Sequence, residues 1–369
     1  MSEIEDVALT RGAVLKRGAA AAGGLLLAGG AKPLTAAAAQ TVRRAKPVTV
    51  SLFVNSGVML GNMGIAFAAD YMRRHKNVKV KIVQSTGTAF FPTQLAAFKA
   101  NPNEPIINIG FYNATLAGTG DANGMWESLD IKSMSNAKYI PKSYRRPKNW
   151  GIGISTDLVG LEYNERFYQT PPRSWAELLS PNVKGKVVEV NYWWFVVLAA
   201  AKLNGGSVTN LQPGWDAWKA HPKQLFAIAS GANQLNDLMA TGTAVLSGYL
   251  MGNCLSYKFN NKAPINFYPP DEGMFTNPWY LISSKGNTPA QSEVCQDMIN
   301  DMISKKWAQL WVNQTLTLPA GINIKTPARL KGHPAMSASA RKKIQYFNWE
   351  YIGKNAIPWQ DLWRQNVIL

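Results

Sequence analysis

Residues 46–54, KPVTVSLFV, alternate polar and apolar side chains and are rich in β-branched residues, which predicts a first strand. Asn55, Ser56 and Gly57 then turn the chain into a helix ending near His75, with Ile65, Phe67, Ala68, Tyr71 and Met72 on its apolar face. Val78–Gln84 alternates strictly and reads as a second strand. Ser85–Thr88 leads into an Ala/Phe/Leu-rich helix running through Lys99. Residues 105–111, PIINIGF, are almost continuously apolar, as expected for a strand covered on both faces. Strand–helix alternation at these lengths predicts a parallel α/β sheet.

The alternation resumes further on. Gly151 and Gly153 open an extended segment through Leu158, Val159, Leu161 and Tyr163, stopped by Pro171 and Pro172. Ser174 stands before WAELL with Glu177 three residues later, the pattern of a capping box. Pro181 ends that helix, and Lys184-Gly185-Lys186 turns into the strand VVEV at 187–190. Helices are predicted through Leu203, around Trp215–Trp218 and over 233–240, with strands at 227–230 and 244–249. The chain then gives extended segments at 265–272 and 279–283 and a helix over 291–304.

Three of these pieces recur in order in a known family. Leu161-Glu162-Tyr163-Asn164, then Pro172-Arg173-Ser174-Trp175-Ala176-Glu177-Leu178, then Lys184-Gly185-Lys186-Val187 resemble the family 1 extracellular solute-binding proteins of ABC importers. The likeness extends to the second strand at Asn77–Val80, to Trp126–Asp130, to Pro270–Gly273 and to Gln309 with Leu318-Pro319-Ala320. It implies an α/β fold of two lobes with the ligand between them. It places the first lobe at 46–155 plus about 272–325, the second at 156–271, and a helical tail at 326–369. The crossing segments fall near 151–158 and 268–282, with Gly151 and Gly153 as hinge candidates.

The N-terminus fits export. Lys16 and Arg17 precede an uncharged Ala/Gly/Leu run over 18–31, and Ala36–Ala39 ahead of Gln40 offers small-residue cleavage sites. This is the pattern of a signal peptide over residues 1–39. The run falls short of the about 20 apolar residues needed to span a bilayer. Thr10–Lys16, TRGAVLK, resembles a twin-arginine signal in which Gly12 replaces the second arginine and Val14 the usual phenylalanine. No cysteine lies near the cleavage site to carry a lipid, so a soluble periplasmic protein is expected. The two cysteines, Cys254 and Cys295, could pair in an oxidising compartment or stay as buried thiols. The net charge of +17 is spread over scattered lysines and arginines without a nucleic-acid-binding motif, and reads as a solvated surface that could attract anionic solutes or the membrane surface.

In open α/β sheets ligands bind beyond the carboxyl ends of strands. Those ends offer Ser56 and Gly57, Thr86 and Thr88, Tyr112 and Asn113 in the first lobe. The second lobe and the returning segment offer Trp193, Trp194, Tyr249, Glu272 and Trp279. Two chemistries are open. The aromatics with Glu272 could hold an amine by cation–π contact. Ser56, Thr86, Thr88 and helix N-termini could hold an organic anion. The chain lacks a Gly-x-Ser-x-Gly elbow or a phosphate loop, and its three histidines, His75, His221 and His333, carry no partner signature. No enzyme, cofactor or metal site is expected. The resemblance implies a monomer that delivers a small solute to a membrane permease, with an enzyme or a sensor partner built on the same two-lobed fold as the alternative.

Overall fold

The structure is a computed structural model that describes residues 47–57 and 59–368. The export signal expected over 1–39 lies outside the described residues. Elements are numbered in chain order. The first lobe is built on a six-stranded sheet from β1 (Val48–Asn55), β2 (Val78–Ser85), β3 (Ile109–Asn113), β4 (Ile152–Val159), β10 (Phe275–Ser283) and β11 (Leu318–Pro319). Their spatial order is β2-β1-β3-β10-β4-β11. The first three strands run parallel, whereas β10 returns antiparallel between β3 and β4.

Both faces of this sheet are covered, which is why β1 loses its polar alternation toward its end. Val50, Leu52 and Val54 pack on α1 (Asn62–Arg74), α8 (Pro289–Met302) and α9 (Lys305–Thr315), in a core with Phe67, Met298 and Trp311. Phe53 and Tyr112 face the other way, toward α2 (Gly87–Ala100) and α3 (Ala114–Ala122). On α1 the buried stripe is Met63, Gly64, Phe67, Ala68 and Tyr71, while Ile65 is exposed.

The second lobe has a five-stranded sheet, β7-β6-β8-β5-β9. Its strands are β5 (Leu161–Asn164), β6 (Val187–Val190), β7 (Leu225–Ala229), β8 (Leu246–Ser247) and β9 (Ile265–Tyr268). Around it lie α4 (Trp194–Leu203), α5 (Gln212–Ala220), α6 (Ala232–Thr241) and α7 (Met251–Asn261). Every residue of α4 from Trp194 to Ala201 is buried, as expected of a helix apolar on all sides.

The chain passes between the sheets at Gly160, where β4 gives way to β5, and returns through residues 269–274. β4 stays in the first sheet through Val159, paired with Phe275, a few residues beyond the division the sequence suggests. Gly153 pairs with Tyr280 inside that sheet, and a Cβ there would lie 2.7 Å from the Tyr144 ring. Gly151 abuts Ile282. Both glycines, the hinge candidates of the sequence, therefore serve close packing within one lobe, and the chain leaves the first sheet later, at Gly160. A Cβ at Gly160 would meet the Phe267 ring at 2.4 Å.

The C-terminal segment carries α10 (Ala338–Lys342) and α11 (Trp349–Asn366). α11 crosses α3 at two glycines, and a Cβ on Gly353 would lie 2.2 Å from the carbonyl carbon of Gly118. From that seat Trp359 reaches Trp194 of the second lobe, ring centroids 5.5 Å apart. Among the described residues no helix is long and apolar enough to cross a membrane. Cys254 and Cys295 are free thiols buried in the two different cores, so the pairing considered from sequence is not made.

Candidate ligand-binding site between the lobes

The carboxyl ends of β1, β3 and β6 and the returning β10 converge on a small chamber of about 60 Å³. Its walls come from both lobes: Asn55, Gly57, Thr86, Gly87, Thr88, Asn113 and Trp279 from the first, Val190, Trp193, Gly231, Ala232, Tyr249, Leu250 and Asn253 from the second, with Leu60 closing one side. None of these residues is acidic or basic.

Helix starts shape the chamber. Thr86 is the N-cap of α2 and Gly231 the N-cap of α6, and neither N-cap residue bonds a first-turn amide with its own side chain. The first-turn amides of a helix have no partner within it, and the aligned peptide dipoles add about half a positive charge there. Asn55 fixes the first of these starts. Its Oδ1 accepts from Gly87 N at 3.0 Å, and its Nδ2 donates to Phe111 O at 3.2 Å. α7 begins beside the chamber too, but there Gly252 N donates to Asp157 Oδ1 at 2.9 Å. Burial pushes the Asp157 carboxyl up to about 7, against the pull of the Gly252 and Leu158 amides.

The aromatic walls have fixed roles. Trp193 Nε1 donates to Gly248 O at 2.6 Å, which orients its ring between Phe195 and Tyr249. Burial raises the Tyr249 hydroxyl well above its ordinary value, with the nearby carboxyl groups adding to the shift, so it stays neutral. Trp279 is 3% exposed and packs edge-on against Trp311, and its Nε1 has no hydrogen-bond partner. Asn253 Oδ1 is buried and unpaired as well. Two residues of the chamber wall thus each carry a buried polar atom that the protein leaves unpaired.

A larger cavity of about 340 Å³ adjoins it, sharing Thr88, Asn113 and Trp193. It is bounded by α2 and α3, by the β6–α4 turn, by Trp215 of α5 and by Ala356, Trp359 and Trp363 of α11.

A profile of bacterial extracellular solute-binding proteins matches residues 104–355, well over half of the chain. The chain belongs to this family. Its structural relatives are binding proteins of ABC transporters. The periplasmic binding protein AfuA of Actinobacillus pleuropneumoniae, with fructose-6-phosphate bound, superposes with a TM-score of 0.70 at 15% identity, covering 87% of this chain and 99% of that one. AgtB of A. tumefaciens R10, in complex with agropinic acid, gives 0.69 at 16% identity over 87% and 99%. A Listeria monocytogenes protein described as a putative spermidine/putrescine ABC transporter gives 0.69 at 13% identity over 86% and 98%. No curated protein matches the sequence.

In this solute-binding protein the structure brings together Gly57, Thr86, Thr88, Asn113, Trp193, Tyr249 and Trp279 from the residues expected at the strand ends. Ser56 sits just behind, its carbonyl accepting from Asn233 Nδ2 of the second lobe at 3.3 Å. Trp194 faces the larger cavity, and its Nε1 donates to Thr115 Oγ1 of the first lobe at 3.2 Å.

Two more expected residues line neither the chamber nor the larger cavity. Tyr112 points to the opposite side of its strand, stacked on Phe53 with its hydroxyl donating to Gln94 Oε1 at 3.0 Å. Glu272 is committed elsewhere: it accepts from Ser174 Oγ at 2.5 Å and from Trp175 N at 3.3 Å. It thereby takes over the capping expected from Glu177, and WAELL forms a short 3-10 turn.

Sequence reasoning missed Gly231 and Asn253. Gly231 had a legible signal, a strand followed by Ser-Gly ahead of a helix, whereas Asn253 lies within α7 and carries no local mark. The histidines stand apart. His75 stacks on Tyr71, His221 bonds its own helix, and burial lowers His333 to about 4. Among the described residues no group of three or more His, Cys, Asp or Glu side chains could hold a metal ion.

Proposed function

We propose that the protein is the periplasmic capture component of an ABC importer, and that its solute presents an anionic group to the chamber. The observation that carries this reading is the facing pair of helix starts at Thr86 of α2 and Gly231 of α6, where only the Gly87 amide is taken, by Asn55, in a chamber whose walls hold no carboxylate. A carboxylate or phosphate there would accept from amides of both lobes at once. A ligand that touches both lobes binds the closed form better than the open one and so draws the lobes together.

The amine reading loses its counter-ion with Glu272 turned to Ser174. Asp157, buried at the start of α7, does not line the chamber, and its Oδ1 accepts from Gly252 and Leu158. The net charge of +17 also favours encounter with anions. Two relatives whose names state an acid and a phosphate ester are consistent with this choice. Closure would turn on Gly160 and the 269–274 segment. The closed, solute-loaded monomer would then dock on a membrane permease and release its cargo.

The test is a thermal-shift screen of the mature protein against organic acids, phosphate esters, amines and amino-acid derivatives. A solute at one hundred times its Kd adds about 2.7 kcal/mol to stability. Acids are expected among the stabilising compounds. Stabilisation by amines alone contradicts the anion reading, and turnover of a hit contradicts the transport role.

A further inference from the structure

We infer that the solute is an aryl acid: its anionic group lies between α2 and α6, and its aromatic body fills the larger cavity under α11. This rests on the anion reading above and adds the rest of the molecule. Native interiors contain few voids larger than a water. The space of about 340 Å³ next to the chamber falls within the range of about 300–1,000 Å³ typical of small-molecule sites.

Three observations join the two spaces into one site. Thr88, Asn113 and Trp193 line both, so a molecule held at the α2 start extends directly into the larger space. The walls there are broad and aromatic, chiefly Phe91, Trp215 and Trp359, which favour a flat ring by stacked or edge-on contact over a flexible chain. Two buried polar atoms in those walls, Asn191 Oδ1 and Trp363 Nε1, have no partner. The turn that carries this wall is strained, with Tyr192 at φ 59°. Non-glycine residues in that region are uncommon and concentrate where function holds them.

The experiment is isothermal titration calorimetry of the mature protein with acetate, phosphate, hexanoate, phenylacetate, indole-3-acetate and phenylacetamide. Two variants narrow the larger cavity and leave the chamber intact: Ala356→Phe on α11, and Ala96→Phe on the exposed flank of α2, checked for folding by thermal melts. The aryl acids are expected to bind at least about tenfold tighter than acetate or phosphate, which is about 1.4 kcal/mol. Either variant should abolish that advantage and leave acetate binding as it was. Aryl acids no tighter than acetate, hexanoate as tight as phenylacetate, or no effect of both variants overturns the inference. Phenylacetamide binding as well as phenylacetate instead overturns the anion reading while leaving the aromatic pocket standing.

Discussion

Gly231 of α6 and Thr86 of α2 meet across the cleft so closely that a Cβ on Gly231 would lie 2.8 Å from Thr86 Cγ2. The absence of a side chain at residue 231 is what lets two helix starts from different lobes share one chamber. Gly231→Ala is expected to weaken solute binding about tenfold by holding the lobes apart, an overpacking cost of about 1–3 kcal/mol. Adding Thr86→Ser, which deletes the opposing methyl, should restore most of the affinity. Titration calorimetry of the three variants checks this. A double variant no better than Gly231→Ala would show that the contact does not govern closure.

Trp279 offers an unpaired buried Nε1–H. Trp279→Phe removes the donor together with part of the ring packed on Trp311. Affinity should fall by about 1–3 kcal/mol, and the solute-free protein should melt slightly lower because the smaller side chain leaves space in the core. A lower melting temperature with unchanged affinity would assign the indole to packing alone.

Glu272 joins the returning segment to the WAELL turn through Ser174 and the Trp175 amide. Glu272→Ala should therefore cost about 0.5–2 kcal/mol of stability, as loss of a helix cap does. Solute affinity should stay the same. Denaturant unfolding and calorimetry on one preparation separate the two, and a loss of affinity at constant stability would return Glu272 to the site.

Three carboxyl groups are buried in or beside the second sheet. Burial raises Asp157 to about 7 and Glu189 to about 8; it also raises Glu162 well above its ordinary value, with the Glu189 charge adding to the effect. The folded chain keeps protons that the unfolded chain releases near 4, so these groups stabilise it at low pH and lose that contribution as pH rises through 7 to 8. His333, lowered to about 4, acts oppositely, and its contribution is lost only as pH falls below its unfolded value near 6.5. Between pH 6.5 and 8.5 the carboxyls act alone among these groups, and the melting temperature should fall. Glu162→Gln, whose oxygens have no partners, should raise stability at pH 8.5 by on the order of 1 kcal/mol. A flat or rising melting temperature over that range would contradict the assignment.

Much of this was legible in the sequence, because alternation and strand-end chemistry are local. β1, β2 and α2 fall where the pattern places them. β3 begins later than the apolar run suggests, since Asn108 inserts its side chain into the ladder. Ser51 N donates to Asn108 Oδ1 at 2.7 Å, and Ile106 is left exposed. The strand-end rule found Thr86, Thr88, Trp193 and Trp279. It failed at Tyr112 because one step along a strand turns a side chain to the other face. At Glu272 it failed because the partner Ser174 lies 98 residues away. The part played by α11 was invisible, as its tryptophans gain a role only once Gly353 settles on Gly118.

The most direct test of the account is calorimetric titration of the mature protein with one acid and its neutral amide. The best acid from the screen should bind at least about a hundredfold tighter than its amide, a difference of about 2.7 kcal/mol. That preference should shrink in Gly231→Ala, where the two helix starts no longer meet on one group. Equal affinity for acid and amide, or preference for the corresponding amine, would contradict an anion held between α2 and α6.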